Sequence, residues 1–165
     1  RSSLQDVRQV LSSTQRSAAR PGDLEGLIDG VRRSGHLVES TVVGRPQPLP
    51  PELEVVAYRV LQEMLTNALK HGRRGTPVVV ERHWPDPTAP LGSDTLRLEV
   101  RNVADEPVET MPIATARAAS TGRGLDGMRR RLEAVGGRFD VRRRSDGDAV
   151  TFTVTAWVPV RPVAA

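Results

Sequence analysis

The chain has 165 residues, 38% hydrophobic and only 3% aromatic, which is one ordinary domain whose core Leu, Val and Ala must fill. Its formal net charge is +4 and it has no cysteine, which excludes disulfides, thiolate metal sites and a cysteine nucleophile. Lys70 is the sole lysine, so the basic residues are nearly all arginine, a bias that fits codon composition and argues only weakly for a nucleic-acid partner. No stretch approaches the roughly 18–20 apolar residues of a membrane span, and no signal peptide is visible. The first residue is Arg1, from which a piece of a longer protein is expected.

Residues 2–19 carry Leu4, Val7 and Leu11 at helical spacing, ahead of the break at Arg20-Pro21-Gly22. Asp23 is placed to cap a second helix with Leu24, Leu27, Ile28 and Val31 on its apolar side, stopped by Gly35. His36–Val43 reads as a strand, and Arg45–Pro51 as a proline-rich connector. Glu52–His71 is the strongest helix in the chain, with no internal Gly or Pro and with Gly72 after its end. Val78–Val80 reads as a strand, Pro85–Asp94 as a turn-rich loop, and Thr95–Arg101 as a strand with Leu96, Leu98 and Val100 on one face. Residues 103–121 show no sustained period and read as a mobile loop, of the kind that is often functional. A helix over Gly124–Val135 follows, ended by Gly136-Gly137. Arg138–Ser145 and Ala149–Val158 then form a hairpin around Asp146-Gly147. This order predicts an α+β two-layer sandwich, a mixed sheet with helices on one face.

Gly122-Arg123-Gly124-Leu125-Asp126-Gly127 spells GxGxxG. A dinucleotide fingerprint needs a strand directly before the first glycine and a βαβ unit around it. Here loop precedes and a hairpin follows. Two readings remain on this segment alone. One is a glycine-rich helix entry with no ligand. The other is a phosphate site, since free N–H groups at a helix start favour an anion and glycines let the backbone approach it.

The long helix places Glu63 and Asn67 at i, i+4, with Lys70 and His71 one turn on, among Leu61, Met64, Leu65, Ala68 and Leu69. A solvated polar face would account for this stripe. A chemical site accounts for it too. An Asn oxygen suits Mg²⁺, a Glu one turn away suits general-base work, and a Lys offsets phosphate charge.

Residues 57–72 contain YRVLQEMLTNALKHG, which is similar to the N box of bacterial sensor histidine kinases. TGRGLDGMRRRLEAVGG resembles their G box, in the subclass that includes nitrate-type and desaturase-type sensors. The two blocks stand in the family's order with a lid-like loop between them, and the resemblance covers roughly residues 23–160. It implies the Bergerat ATP-binding fold shared with gyrase, Hsp90 and MutL, with ATP and Mg²⁺ as cofactors. The resemblance implies Glu63 as the acid/base residue beside the γ-phosphate and Asn67 as the Mg²⁺ ligand. It further implies Lys70 and His71 near the phosphates, and Gly122, Gly124 and Leu125 at the lid hinge and nucleotide. The domain organisation it implies is a dimerisation-helix stub at 1–19 and an ATP-binding catalytic domain at 20–165, with the lid at about 103–121. The phosphate would pass to a histidine on a dimerisation domain that this stretch lacks, then to a response regulator. The stretch alone is therefore expected not to autophosphorylate. The parent is expected to be a cytoplasm-facing homodimer, and this stretch to contact neither nucleic acid nor membrane.

The family's adenine motif is Asp-x-Gly-x-Gly at a strand end. Here Asn102 takes the aspartate position, and Ala104 and Glu106 replace the glycines. Strand parity puts Asn102 on the face of Leu98 and Val100, whereas Asp105 is expected beyond the strand. Asn still accepts a hydrogen bond, without charge assistance, so weakened ATP binding is expected. His36 reads as structural and His83 as a surface residue at a strand end. Other classes carry less. A nucleic-acid module would have to use Arg129–Arg131 and Arg142–Arg144, which need not form one patch, and has few aromatics for base stacking. A catalytically degenerate interaction module on the same fold draws support from the altered adenine motif, and a serine-directed anti-sigma-factor kinase is a further alternative. No His/Asp/Glu group has the sequence spacing of a metal site.

Overall fold

The computed structural model describes residues 23–86, 88, 94–105 and 122–161, with the backbone alone at 105 and 122–124. The helix expected over 2–19, the dimerisation stub it represents and residues 106–121 of the expected lid lie outside these residues.

Helix α1 (Leu24–Arg33) starts where Asp23 Oδ1 accepts the Gly26 N–H at 2.8 Å. Glu25 in its first turn and Arg32 and Arg33 in its last complement the helix dipole. Leu24, Leu27, Ile28 and Val31 are its buried stripe, as their spacing requires. Strand β1 (Val38–Val43) begins two residues after His36, at the point where Val38 pairs with Val78.

Helix α2 (Pro51–His71) takes in Pro51, which the sequence assigns to the connector. A proline is suited to the first helical position, because the N–H it lacks would have no intrahelical partner there. Glu52 and Glu54 occupy its first turn, and Lys70 and His71 its last. Val60, Leu61, Met64 and Leu65 are fully buried.

Strand β2 (Val78–His83) is longer than its three valines suggest, because pairing with β1 carries through to Val43 and His83. Strand β3 (Thr95–Asp105) runs four residues past Arg101. Its antiparallel partner holds it in register to Asp105 opposite Ala149, so 103–105 are strand, and Asp105 is the strand's last residue rather than a residue beyond it. Helix α3 (Gly122–Ala134) begins two residues before Gly124. Strands β4 (Arg138–Asp146) and β5 (Ala149–Pro159) form the expected hairpin. Its two-residue loop is Gly147-Asp148, one residue further along than Asp146-Gly147, and Gly147 supplies the positive φ of 67° that such a turn needs.

The five strands make one sheet in the order β1-β2-β3-β5-β4. β1 and β2 are parallel and every other pair is antiparallel. Val78, Val80, Leu96, Leu98, Val100, Val154, Ala156 and Val158 are buried on one face, under the helices. Met128 and Leu132 of α3 and the buried stripes of α1 and α2 close that core. The mixed sheet with helices on one side is the α+β sandwich that the element order predicts.

Arg82 interrupts this apolar face. It alternates with Val78 and Val80, so it points into the core side and is only 6% exposed. Its Nη2 donates to a Glu25 carboxylate oxygen on α1 and to Ser40 Oγ on β1 at 3.1 Å. A buried guanidinium without those acceptors would be strongly destabilising. The pair thus fixes the start of α1 over the β1–β2 end of the sheet.

Candidate functional site

The C-terminal half of α2 carries the polar stripe predicted from sequence. Glu63, Asn67 and Lys70 are half-buried, because this part of the helix packs on β3 and α3. His71 is the exposed last residue. Thr66 folds its hydroxyl back to the Gln62 carbonyl at 2.9 Å, so it stays local. Asn67 does not: its Nδ2 is fully buried and has no partner among the described residues. A buried amide donor left in that state costs about 1–3 kcal/mol.

A second amide stands in the same condition. Asn102 lies on the helix-facing side of β3, opposite Phe152 of β5 and in line with Val100 and Ala104. It is 6% exposed, and its Nδ2 is also buried without a partner among the described residues. Parity had placed it on this face. Gly72, directly after α2, brings the two elements together. A Cβ on Gly72 would lie 3.8 Å from Asn102 Nδ2 and only 2.6 Å from the Ala68 carbonyl oxygen. Arg73 then donates its N–H to the Val103 carbonyl at 2.6 Å, and its guanidinium reaches the Asp148 carbonyl at 3.5 Å. The end of α2 is in this way tied to β3 beside Asn102 and to the β4–β5 turn.

Gly122 and Gly124 lie in the first turn of α3, where backbone N–H groups have no intrahelical acceptor. Leu125 is partly buried against the core, below Met128 and Leu132. The described residues thus gather the end of α2, the end of β3 and α3 around one seam. Among the ionisable groups on it, His71 is held below the usual imidazole range, first by partial burial and then by the Lys70 ammonium beside it. Its neutral form is therefore favoured.

The sequence reading found no metal-type grouping, and here the structure differs. On the uncovered face of the sheet, ligand atoms of Glu81, His83 and Glu99 all lie within 4.8 Å of one another. The β2–β3 register sets Glu81 directly opposite Glu99, and strand alternation sets His83 on the same side. Spacing along the chain could not show this, because 81 and 99 meet only through the antiparallel pairing. His83 is half-buried and lies 3.2 Å from Glu81, rather than standing as a free surface residue. The hydrogen bond from His83 is the main cause that holds the Glu81 carboxyl below its usual value. Arg101 contributes in the same direction.

The two arginine runs are split by geometry. Arg142 and Arg144 pair across to Thr153 and Thr151 on the uncovered face, whereas Arg143 sits opposite Phe152 on the other. Arg142 is bonded to Asp140 at 3.1 Å, and Arg129 of α3 lies over the Phe139 ring. Among the described residues no helix is long and apolar enough to cross a membrane.

Comparison with known proteins agrees with this architecture. The chain is 32% identical over 141 residues to the sensor histidine kinase YxjM of Bacillus subtilis, covering 83% of this chain and 30% of that protein. The chain thus spans about a third of its relative's length. Among solved structures, a histidine kinase from Burkholderia phymatum superposes with a TM-score of 0.55 at 22% identity, over 90% of this chain and 75% of that one. Full-length ShkA, solved in complex with AMPPNP, gives 0.54 at 18% identity, over 98% of this chain and 31% of that one. These two likenesses are in fold. The family model for histidine kinase-, DNA gyrase B- and HSP90-like ATPases matches residues 52–162, from the start of α2 to beyond β5, and this chain belongs to that family.

Proposed function

We propose that this chain is the ATP-binding catalytic part of a sensor histidine kinase. The observation that carries the reading is the pair of buried, unpartnered amides, Asn67 on α2 and Asn102 on β3, at the seam between helix and sheet. Groups of this kind are costly in a closed fold and are satisfied when a polar ligand enters. Membership of the ATPase family and the nucleotide analogue held by ShkA support ATP as that ligand.

In this reading Asn102 reads the adenine and Asn67 supplies the metal ligand. Among the described residues no hydrogen bond fixes the orientation of the Asn67 amide, and its Oδ1 is the kind of hard oxygen that Mg²⁺ takes. Bound there, Mg²⁺ would offset charge on the phosphates. Lys70 adds a cationic group beside them. The free N–H groups at the start of α3, reached past Gly122 and Gly124, cradle phosphate oxygens, while Leu125 closes the base of that turn. Glu63, one turn before Asn67, accepts the proton of the incoming acceptor histidine. The acceptor lies on the dimerisation domain of the parent protein, a cytoplasm-facing homodimer, and a response regulator takes the phosphate next. Autophosphorylation in this reading needs that acceptor domain as well as this chain.

Calorimetric titration with ATP, with and without Mg²⁺, tests this. Saturable, magnesium-dependent binding is expected, weakened at least about tenfold in Asn67→Ala through loss of a liganding oxygen. A second reading, a docking module that has lost its nucleotide, is favoured by Asn102 standing where the related kinases have Asp. Absence of binding at millimolar ATP would decide for it.

A further inference from the structure

The amide of Asn102 bears on which base the site takes, and the inference rests on the nucleotide-site reading above. Asn102 is enclosed on its own face by apolar side chains, Val100 and Ala104 along the strand and Phe152 across it. Among the described residues no hydrogen-bond partner holds Nδ2. The wall at that side is Gly72, where even an added Cβ would stay 3.8 Å from Nδ2. Among the described residues no hydrogen bond therefore fixes which way the amide faces.

A carboxylate in this place could only accept hydrogen bonds. It would take one from a 6-amino group and repel a 6-oxo oxygen, which separates adenine from guanine and hypoxanthine. An amide has both functions. Turned one way, Oδ1 accepts from the 6-amino group of adenine. Turned the other way, Nδ2 donates to a 6-oxo oxygen. In the first orientation Nδ2 faces the acceptor N1 of adenine, and in the second Oδ1 faces the N1–H of a 6-oxopurine, so neither base sets a like pair of atoms against the amide. Discrimination between bases comes from the partner left unpaired by the wrong one, and here no base is wrong at position 6.

We propose that the base pocket accepts 6-oxopurine nucleotides, those of guanine and hypoxanthine, alongside adenine nucleotides, with Asn102 as the residue that sets this breadth. A larger side chain at Asn102 would fill the space, and an acidic one would restore the choice.

The test is titration of the whole chain, in Mg²⁺, with ATP, GTP and inosine triphosphate. The inosine nucleotide carries the 6-oxo group without the 2-amino group of guanine, so it isolates position 6. The expected result is dissociation constants for ATP and inosine triphosphate within about fivefold of each other. In Asn102→Asp the ratio should move by about tenfold or more in favour of ATP, the scale of one buried hydrogen bond exchanged for a repulsion. Far-UV circular dichroism establishes that the variant is folded, and the wild-type ratio tests the proposal without it. ATP binding with both 6-oxo nucleotides about a hundredfold weaker overturns the proposal and leaves the ATP site standing, since such a gap needs a selective polar contact. Equal binding of all three that Asn102→Asp does not alter overturns the role of Asn102. Binding of none of the three overturns the nucleotide-site reading itself.

Discussion

Replacing Asn102 by Val separates a structural amide from a functional one. The buried Asn102 Nδ2 has no partner among the described residues, and that state costs about 1–3 kcal/mol. Valine removes the cost and suits a strand interior flanked by Val100 and Phe152. Its extra volume takes back up to about 1 kcal/mol through crowding against Gly72 and the end of α2. These ranges leave a net gain between about 0 and 3 kcal/mol, centred on about 1–2 kcal/mol. For a chain of this size that centre raises Tm by roughly 2–8 °C, at 2–4 °C per kcal/mol. Urea unfolding without nucleotide measures it, and the same variant should lose ATP affinity. A ligand-free Asn102→Val that is less stable than the parent by about 1 kcal/mol or more would mean the amide is satisfied inside the fold. The case for a ligand group at that position would then fail.

Three other perturbations follow from the same geometry. Gly72→Ala sets a Cβ 2.6 Å from the Ala68 carbonyl, so α2 must shift at the cost of about 1–3 kcal/mol. Its φ of −73° suits alanine, so a neutral result in thermal unfolding would refute the steric account. His71 has a folded pKa below its unfolded value, so the unfolded chain takes up the extra proton as pH falls. Stability is full above the unfolded pKa of about 6.5 and declines as pH falls below it towards the folded value. Melting His71→Gln beside the parent at about pH 7.5 and about pH 5.5 should show a smaller loss in the variant; an equal loss would assign the slope to other groups. Glu25→Gln leaves the buried Arg82 guanidinium without its carboxylate. Because Glu25 is 53% exposed, the expected loss is only about 1 kcal/mol. Arg82→Met, which removes the charge as well, should stay within about 1 kcal/mol of the parent, and a much larger loss in denaturant titration would refute the pairing argument.

The sequence by itself determined the type and order of every described element, and the helix or strand face that Glu63, Asn67 and Asn102 take, because these rest on local periodicity. The 3.6-residue repeat set Glu63 and Asn67 on one stripe of α2. The two-residue repeat set Asn102 on the covered face of β3. Asp23 gave the start of α1, and the Asp146-Gly147 signal gave the β4–β5 hairpin to within one residue. Strand ends were misjudged where partners decide them. β3 continues to Asp105 because β5 pairs with it that far, and β2 runs through Glu81-Arg82-His83 because β1 and β3 hold both its edges. Only the tertiary structure decided which polar groups are satisfied. Arg82 meets Glu25 across 57 residues of chain, and Glu81 meets Glu99 through antiparallel register. Among the described residues Asn67 and Asn102 are left with their Nδ2 atoms buried and unpartnered, which no local pattern shows. Periodicity reports which face a residue takes. What it meets on that face depends on chain segments far away in sequence, and only the closed fold brings them together.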